Sequence, residues 1–363
     1  MSINENIYKK LAQVLDTLPN GFPSTENGVE LKLLQKIFTP DEAELFCDLR
    51  LTFETPEQIS ERTGRPQEGL GDKLDIMWNK GQVFGVDFGE VKVYKMIPWV
   101  FGIFEFQLNR MDREFAELSE AYFPVFSKAF FRNGPQLMQV MPIEKEIQNN
   151  QFAMPYEQVS TIIENGQSFA VNDCICKKEK ALLDQRCDKP IEVCMAIAPI
   201  PNFFENDNFW GGRVITKDEA YKLLQSAEEA GLVHMTSNVQ SGQFYICNCC
   251  GCCCGILRSI NDLGINNVIH SNYYAVIDPD LCISCGVCAD DRCQVNAIEE
   301  ADDAYAVIKE KCIGCALCLT TCPEEAIRFE RKPESECIEP SVDENEWFEK
   351  RAKARGVDYS QYA

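Results

Sequence analysis

Basic residues are scarce in this chain: 35 Lys and Arg face 57 Asp and Glu, for a formal charge of -22. That balance argues against nonspecific affinity for nucleic acid or for an anionic membrane surface. No run approaches the roughly 18 uncharged apolar residues that a bilayer span needs. The N-terminal MSINENIYKKLAQVL has no basic start followed by an apolar stretch, so no secretory signal is read there and a cytoplasmic location is expected. Neither G-x-G-x-x-G nor G-x-x-x-x-G-K-S/T occurs, which leaves nicotinamide use and nucleotide hydrolysis without a signal. Cysteine is nearly missing from the first 173 residues, where only Cys47 stands, yet the chain holds 20, the rest between Cys174 and Cys337. In a reducing compartment such a regional cluster binds metal more often than it forms disulfides.

The N-terminal third is organised by helical signals. DEAELFCDLRL (41–51) reads as a helix, and TPEQISERTG (55–64) has a cap, a proline at the first helical position and a closing glycine. PQEGLGDKLDIMWNKG (66–81) spaces Leu70, Leu74 and Met77 at helical intervals, and VFGVDFGEVKVYKMIP (83–98) alternates on both sides of Asp87–Glu90 as a hairpin does. This order resembles a winged-helix domain, a fold that often binds DNA. Residues 1–110 carry 17 acids against 12 bases, and the candidate recognition helix offers only Lys73 and Lys80 beside Glu68, Asp72 and Asp75. Phosphate contacts are too few, so a structural or protein-docking use is expected. Residues 98–150, rich in aromatics, read as packed helices.

Two segments of the last third can be laid over one another: AVIDPDLCISCGVCADDRCQVNAI (275–298) and AVIKEKCIGCALCLTTCPEEAI (306–327). In the second, Cys312, Cys315, Cys318 and Cys322 follow C-x2-C-x2-C-x3-C with Pro323 after the fourth, a spacing that lets a tight loop wrap three corners of a [4Fe-4S] cube. The segment closely resembles the bacterial-type two-cluster ferredoxins. The resemblance implies crossed ligation: one cluster on Cys282, Cys285, Cys288 and Cys322, the other on Cys312, Cys315, Cys318 and Cys293. The first copy departs from the pattern, with four residues, ADDR, between Cys288 and Cys293 and with Gln294 in place of proline. A bulged loop can absorb the extra residue, and Asp290 and Asp291 should disfavour reduction nearby.

Ten cysteines remain, in two groups: Cys174, Cys176, Cys187 and Cys194, then Cys247, Cys249, Cys250, Cys252, Cys253 and Cys254 within ICNCCGCCCG. Between them TKDEAYKLLQSAEEAGLVH reads as a helix capped at Thr216, with Glu219 completing a capping box and Gly231 closing it. Six adjacent thiolates cannot serve one small site, because neighbouring side chains point apart. Cys247, Cys250 and Cys253 repeat the C-x2-C-x2-C spacing, Cys249 and Cys252 offer another pair, and Gly251 and Gly255 would let the backbone approach sulphide. The ten thiols are expected to hold one or two further iron-sulphur clusters, with zinc, redox-active thiols and plain burial as the other uses open to them. The arrangement resembles modules in iron-sulphur proteins of anaerobes that pair C-x-C, GLVH and CNCC-x-CCC with a two-cluster ferredoxin; that resemblance carries no assigned activity. His234 and His270 read as packing histidines, and Cys47 and Cys337 as isolated thiols.

The expected fold is α+β and multidomain: a winged-helix-like domain (1–100), a helical linker (101–165), a Cys-rich α-helical iron-sulphur module (166–260), a 2[4Fe-4S] ferredoxin domain (270–332) and a charged tail (333–363) that packs on another surface or docks on a partner. The expected function is electron transfer beside a redox protein partner or within an anaerobic oxidoreductase complex. The chain would then be a component and not a stand-alone enzyme. A reductase centred on the middle module and a redox-sensing transcription regulator are the alternatives.

Overall fold

The computed structural model describes residues 3–143, 154, 157–206 and 212–363. Residues 144–153, 155 and 156 of the expected linker and 207–211 of the expected module lie outside the described residues.

Helices α1 (Ile3–Thr17) and α2 (Val29–Ile37) bury Leu11, Leu15, Leu33 and Leu34 in the N-terminal core. α3 (Pro40–Phe46) and α4 (Pro56–Thr63) begin alike: the side chains of Thr39 and Thr55 accept the N–H of Glu42 and Gln58, whose side chains return to the threonine N–H. Proline fills the first helical position of both, where its missing N–H costs nothing. Gly64 closes α4 at φ 73°, a conformation that suits glycine. α3 stops short of the expected Leu51 because Arg50 and Leu51 leave the helix to bond elsewhere: the Arg50 carbonyl accepts from Met96 N–H, and Leu51 N–H donates to Tyr362. After α5 (Leu70–Asn79) comes the hairpin of β1 (Phe84–Asp87) and β2 (Lys92–Lys95), and Glu54 bridges to Tyr94 beside it. α6 (Arg113–Phe130), capped by Asp112, carries Phe123, Phe126 and Phe130 towards the middle of the chain.

The middle of the chain is built on a sheet, where a helical module was expected. Its elements are β3 (Met138–Met141), α7 (Val159–Asn165), β4 (Ser168–Asp173), α8 (Ile175–Leu182), β5 (Glu192–Ala198), α9 (Phe203–Asn206), β6 (Arg213–Ile215), α10 (Lys217–Glu229), β7 (Val233–Ser237), β8 (Tyr245–Cys249) and α11 (Gly255–Asn261). Among the described residues the strands form one antiparallel sheet in the order β3-β7-β8-β5-β4-β6. The strands hid behind their cysteines: EVCMAIA and YICNC are strand sequences once cysteine counts as a small buried residue. Side chains alternate across such a sheet. Met195, Ile197 and Ile246 pack with Ile162, Ile163 and Leu224 of α7 and α10. Cys194, Ala196, Tyr245, Cys247 and Cys249 point the other way, towards α6, α8 and α11.

In the last third β9 (Tyr273–Ile277) pairs with β12 (Ile327–Arg331), and β10 (Ile298–Ala301) with β11 (Ala304–Val307), both antiparallel. Tyr273 stacks on Phe329 at 4.9 Å, within a core that also takes in Val140, Met235 and Leu257. The tail ends in α12 (Glu344–Arg355), which packs across the body. Trp347 and Phe348 enter that same core, and Trp347 Nε1 donates to the Gln136 carbonyl at 2.9 Å. Arg351, fully buried, donates to the carbonyls of Phe130 and Asn133, while Arg355 reaches Asp16 at 2.9 Å. Among the described residues no helix is long and apolar enough to cross a membrane.

Candidate metal centres

The duplicated segment folds as two equivalent loops. Ser284 and Gly314, one residue before each middle cysteine, both have positive φ (56° and 62°), as do Gly286 and Ala316 just after it (77° and 63°). Asn296 and Glu325, three residues past Cys293 and Cys322, repeat the match at 51° and 50°. Left-handed non-glycine residues are uncommon and gather at functional loops. The extra residue of the first copy is taken up by a π turn over Cys288–Arg292, closed by Cys293 N–H donating to the Cys288 carbonyl at 3.1 Å. Cys282, Cys285, Cys288 and Cys322 surround a cavity of about 20 Å3 together with Pro323. Cys293 neighbours Cys312, Cys315 and Cys318. Burial first, then the adjacent thiols, pushes Cys288 up to about 11 and Cys315 up to about 12. Metal coordination is what lets such groups ionise. An all-sulphur donor set, with Ala297 N–H donating to Cys293 Sγ at 3.1 Å and Ala326 N–H to Cys322 Sγ at 3.3 Å, fits iron-sulphur clusters.

The ten other thiols are sorted by the sheet, and not by their two sequence groups. Cys174 precedes α8, Cys176 lies in its first turn, Cys194 is on β5, Cys247 and Cys249 are alternate residues of β8, and Cys254 precedes α11. These six form a continuous row of neighbours: Cys174 beside Cys176, then Cys254, Cys249, Cys247 and Cys194. They line a chamber of about 440 Å3 whose far wall is Trp99, Phe101, Phe123, Phe126 and Phe130. Adjacent thiols and burial together hold Cys174 and Cys247 well above the usual thiol range. The sulphur wall can hold a cluster against the aromatic wall of the chamber.

Among the polar residues lining the chamber are Glu105, Glu179 and Tyr245, none of which sequence reading singled out. Glu105, in the aromatic run FGIFEFQ, is pushed up to about 8 by burial while accepting from Gly102 N–H at 2.7 Å. Glu179 is pushed up to about 7 by burial. The Tyr245 hydroxyl is buried without a hydrogen-bond partner among the described residues. A lone carboxylate amid aromatics was the one available signal.

The remaining four thiols lie outside the chamber. Cys187 precedes β5, and Cys250, Cys252 and Cys253 form the turn after β8; all four sulphurs lie within 4.8 Å of one another. The expected Cys247–Cys250–Cys253 and Cys249–Cys252 groupings are therefore split, because strand alternation sends Cys247 and Cys249 into the chamber and the turn carries Cys250 away. Gly251 does not lie against the chamber: a Cβ there would stand 2.0 Å from the Gln294 carbonyl, and its N–H donates to Gln294 Oε1 at 3.0 Å. Gln294, where the ferredoxin pattern has proline, thus ties the two cysteine regions together. His234 is buried and bonds Asn248 Oδ1 at 2.5 Å, His270 is buried and lowered to about 4 by burial, Cys47 sits in the N-terminal core, and Cys337 donates to the Lys332 carbonyl.

Residues 275–329 match the family model of the 4Fe-4S dicluster domain. Neither a curated protein nor a solved structure matched the chain. The matched segment makes this an iron-sulphur protein carrying [4Fe-4S] clusters, with electron transfer as the function that such a domain suggests.

Proposed function

We propose that the chain relays single electrons between a protein partner and a metal cluster in the six-cysteine chamber, as a component of an anaerobic oxidoreductase system. In this reading Cys282, Cys285, Cys288 and Cys322 hold the outer ferredoxin cluster, and Cys312, Cys315, Cys318 and Cys293 the inner one. The observation that carries it is the asymmetry of the matched segment. Around the outer set Cys285 is exposed, with Leu281 52 % and Ile283 59 % exposed beside Asp280, Asp290 and Asp291. That surface fits a partner with an apolar patch set among basic residues. The inner set faces inward instead: Ile143 N–H donates to the Cys315 carbonyl, and the stretch after Cys293 abuts the Cys250–Cys253 turn beside the chamber. The clusters, when bound, supply the one-electron chemistry, and the protein spaces them.

The N-terminal helices and hairpin serve as a winged-helix-like docking element. The outer side of α5 and the hairpin tip expose Ile76, Phe88 and Val91 beside Asp72, Asp87 and Glu90, a surface suited to protein and not to phosphate.

The test is iron and acid-labile sulphide per chain on anaerobically purified full-length protein, with Cys194→Ser and Cys247→Ser alongside. The relay requires iron and sulphide together beyond the about eight iron of two ferredoxin clusters, and both variants should lose that extra iron and sulphide. About eight iron in the parent protein, unchanged in the variants, would sink it.

One observation favours a second reading, a reductase working in the chamber. Its volume, the unpartnered Tyr245 hydroxyl and the neutral Glu105 suit a small molecule that takes up protons with electrons. Oxidation of the reduced single chain by a small molecule, lost in Tyr245→Phe, would support it; oxidation by protein acceptors alone would leave the relay.

A further inference from the structure

We infer that Cys187, Cys250, Cys252 and Cys253 form a mononuclear tetrathiolate site for one tetrahedral divalent ion, Zn2+ or Fe2+, distinct from every iron-sulphur cluster of the chain. The argument is metric. Cys187 Sγ lies 3.8 Å from Cys250 Sγ and 3.8 Å from Cys253 Sγ, and Cys252 Sγ lies 3.7 Å from Cys253 Sγ. Four thiolates about 2.3 Å from one tetrahedral ion stand about 3.8 Å from each other. A [4Fe-4S] cube gives each thiolate its own iron and spreads the four much farther apart. The spacing matches one ion and is too tight for a cube.

The position of the site gives it a task. β5 and β8 are neighbours in the sheet, Cys187 lies in the loop entering β5, and the other three ligands form the turn leaving β8. An ion there fixes the turn whose two ends carry Cys249 and Cys254 into the chamber. It also holds Gly251 against Gln294 of the ferredoxin segment. Val193, Ala227 and Leu232 pack beneath the sulphurs, and Cys252 alone is exposed. The ion is thus a staple between three regions far apart in sequence.

Full-length protein, purified anaerobically, is analysed for zinc, iron and acid-labile sulphide in parent, Cys187→Ser, Cys252→Ser and Cys337→Ser forms. The first two variants should lose one metal equivalent per chain and no sulphide, and Cys337→Ser should lose nothing. Loss of zinc or of iron identifies which ion the site takes. Cys252→His, which keeps a tetrahedral ligand, should restore zinc and shows that a loss in the serine variant reflects ligation and not misfolding. Iron and sulphide leaving together would overturn the inference in favour of a cluster, as would unchanged metal in both serine variants. The thiols of the ferredoxin segment and of the chamber are themselves unaltered in these variants.

Discussion

Glu105 is the residue whose chemistry its neighbours change most plainly. Its carboxyl rises from 4.5 to about 8 because burial among aromatics penalises the charge. A group raised in the fold holds its proton where the unfolded chain has released it, so its contribution is complete below about 4.5 and lost as pH climbs towards 8. Glu105→Gln keeps an oxygen for the Gly102 N–H and removes the titration. The stability difference between parent and variant should therefore shift against the parent by at most about 1.4 kcal/mol per pH unit between pH 5 and 8, and level off above. Denaturant unfolding at pH 5, 6.5, 8 and 9 measures it; a constant difference would mean that the folded carboxyl is already ionised. The one sequence pattern that points to this residue, a glutamate in an aromatic run, reads equally well as surface.

Between elements, the contact that matters is the turn after β8 against the stretch after Cys293. Gly251→Ala puts a Cβ 2.0 Å from the Gln294 carbonyl and 2.8 Å from Asn261 Nδ2, so backbone must move. Overpacking of this kind costs about 1–3 kcal/mol. The expected outcome is a lower melting temperature and faster hydrogen exchange over 250–256 and 292–298, with unchanged values counting against a tight junction. Of the elements themselves, the capped helices at Thr55 and Thr216 were legible, since both threonines carry their own hydrogen-bond logic and Gly64 and Gly231 their stop signals. The six-stranded sheet was not, because its strands are five to seven residues long where they carry cysteines, and spacing drew attention away from alternation.

Across the whole molecule, α12 clamps the body together. It buries Trp347 in the core shared by the sheet and the ferredoxin strands, sets Phe348 at the chamber wall and ties Arg355 to α1. Trp347→Ala should cost about 3–5 kcal/mol and speed proteolysis in both the 240–260 and 330–343 stretches. Protection unchanged at both would show the tail to be dispensable. α12 carries no amphipathic stripe to announce this, and Arg351 is buried through carbonyls supplied some 220 residues earlier.

The sequence by itself determined the chemistry: duplicated cysteine spacing is a local pattern that a loop of a few residues enforces, and it located the dicluster segment and its extra residue. It also determined that ten more thiols serve a regional purpose. Only the tertiary structure decided how those ten divide, six in the chamber and four at the tight site. Strand alternation separates residues adjacent in sequence, and sheet pairing brings Cys187 to Cys250 and Cys194 to Cys247 across more than 50 positions.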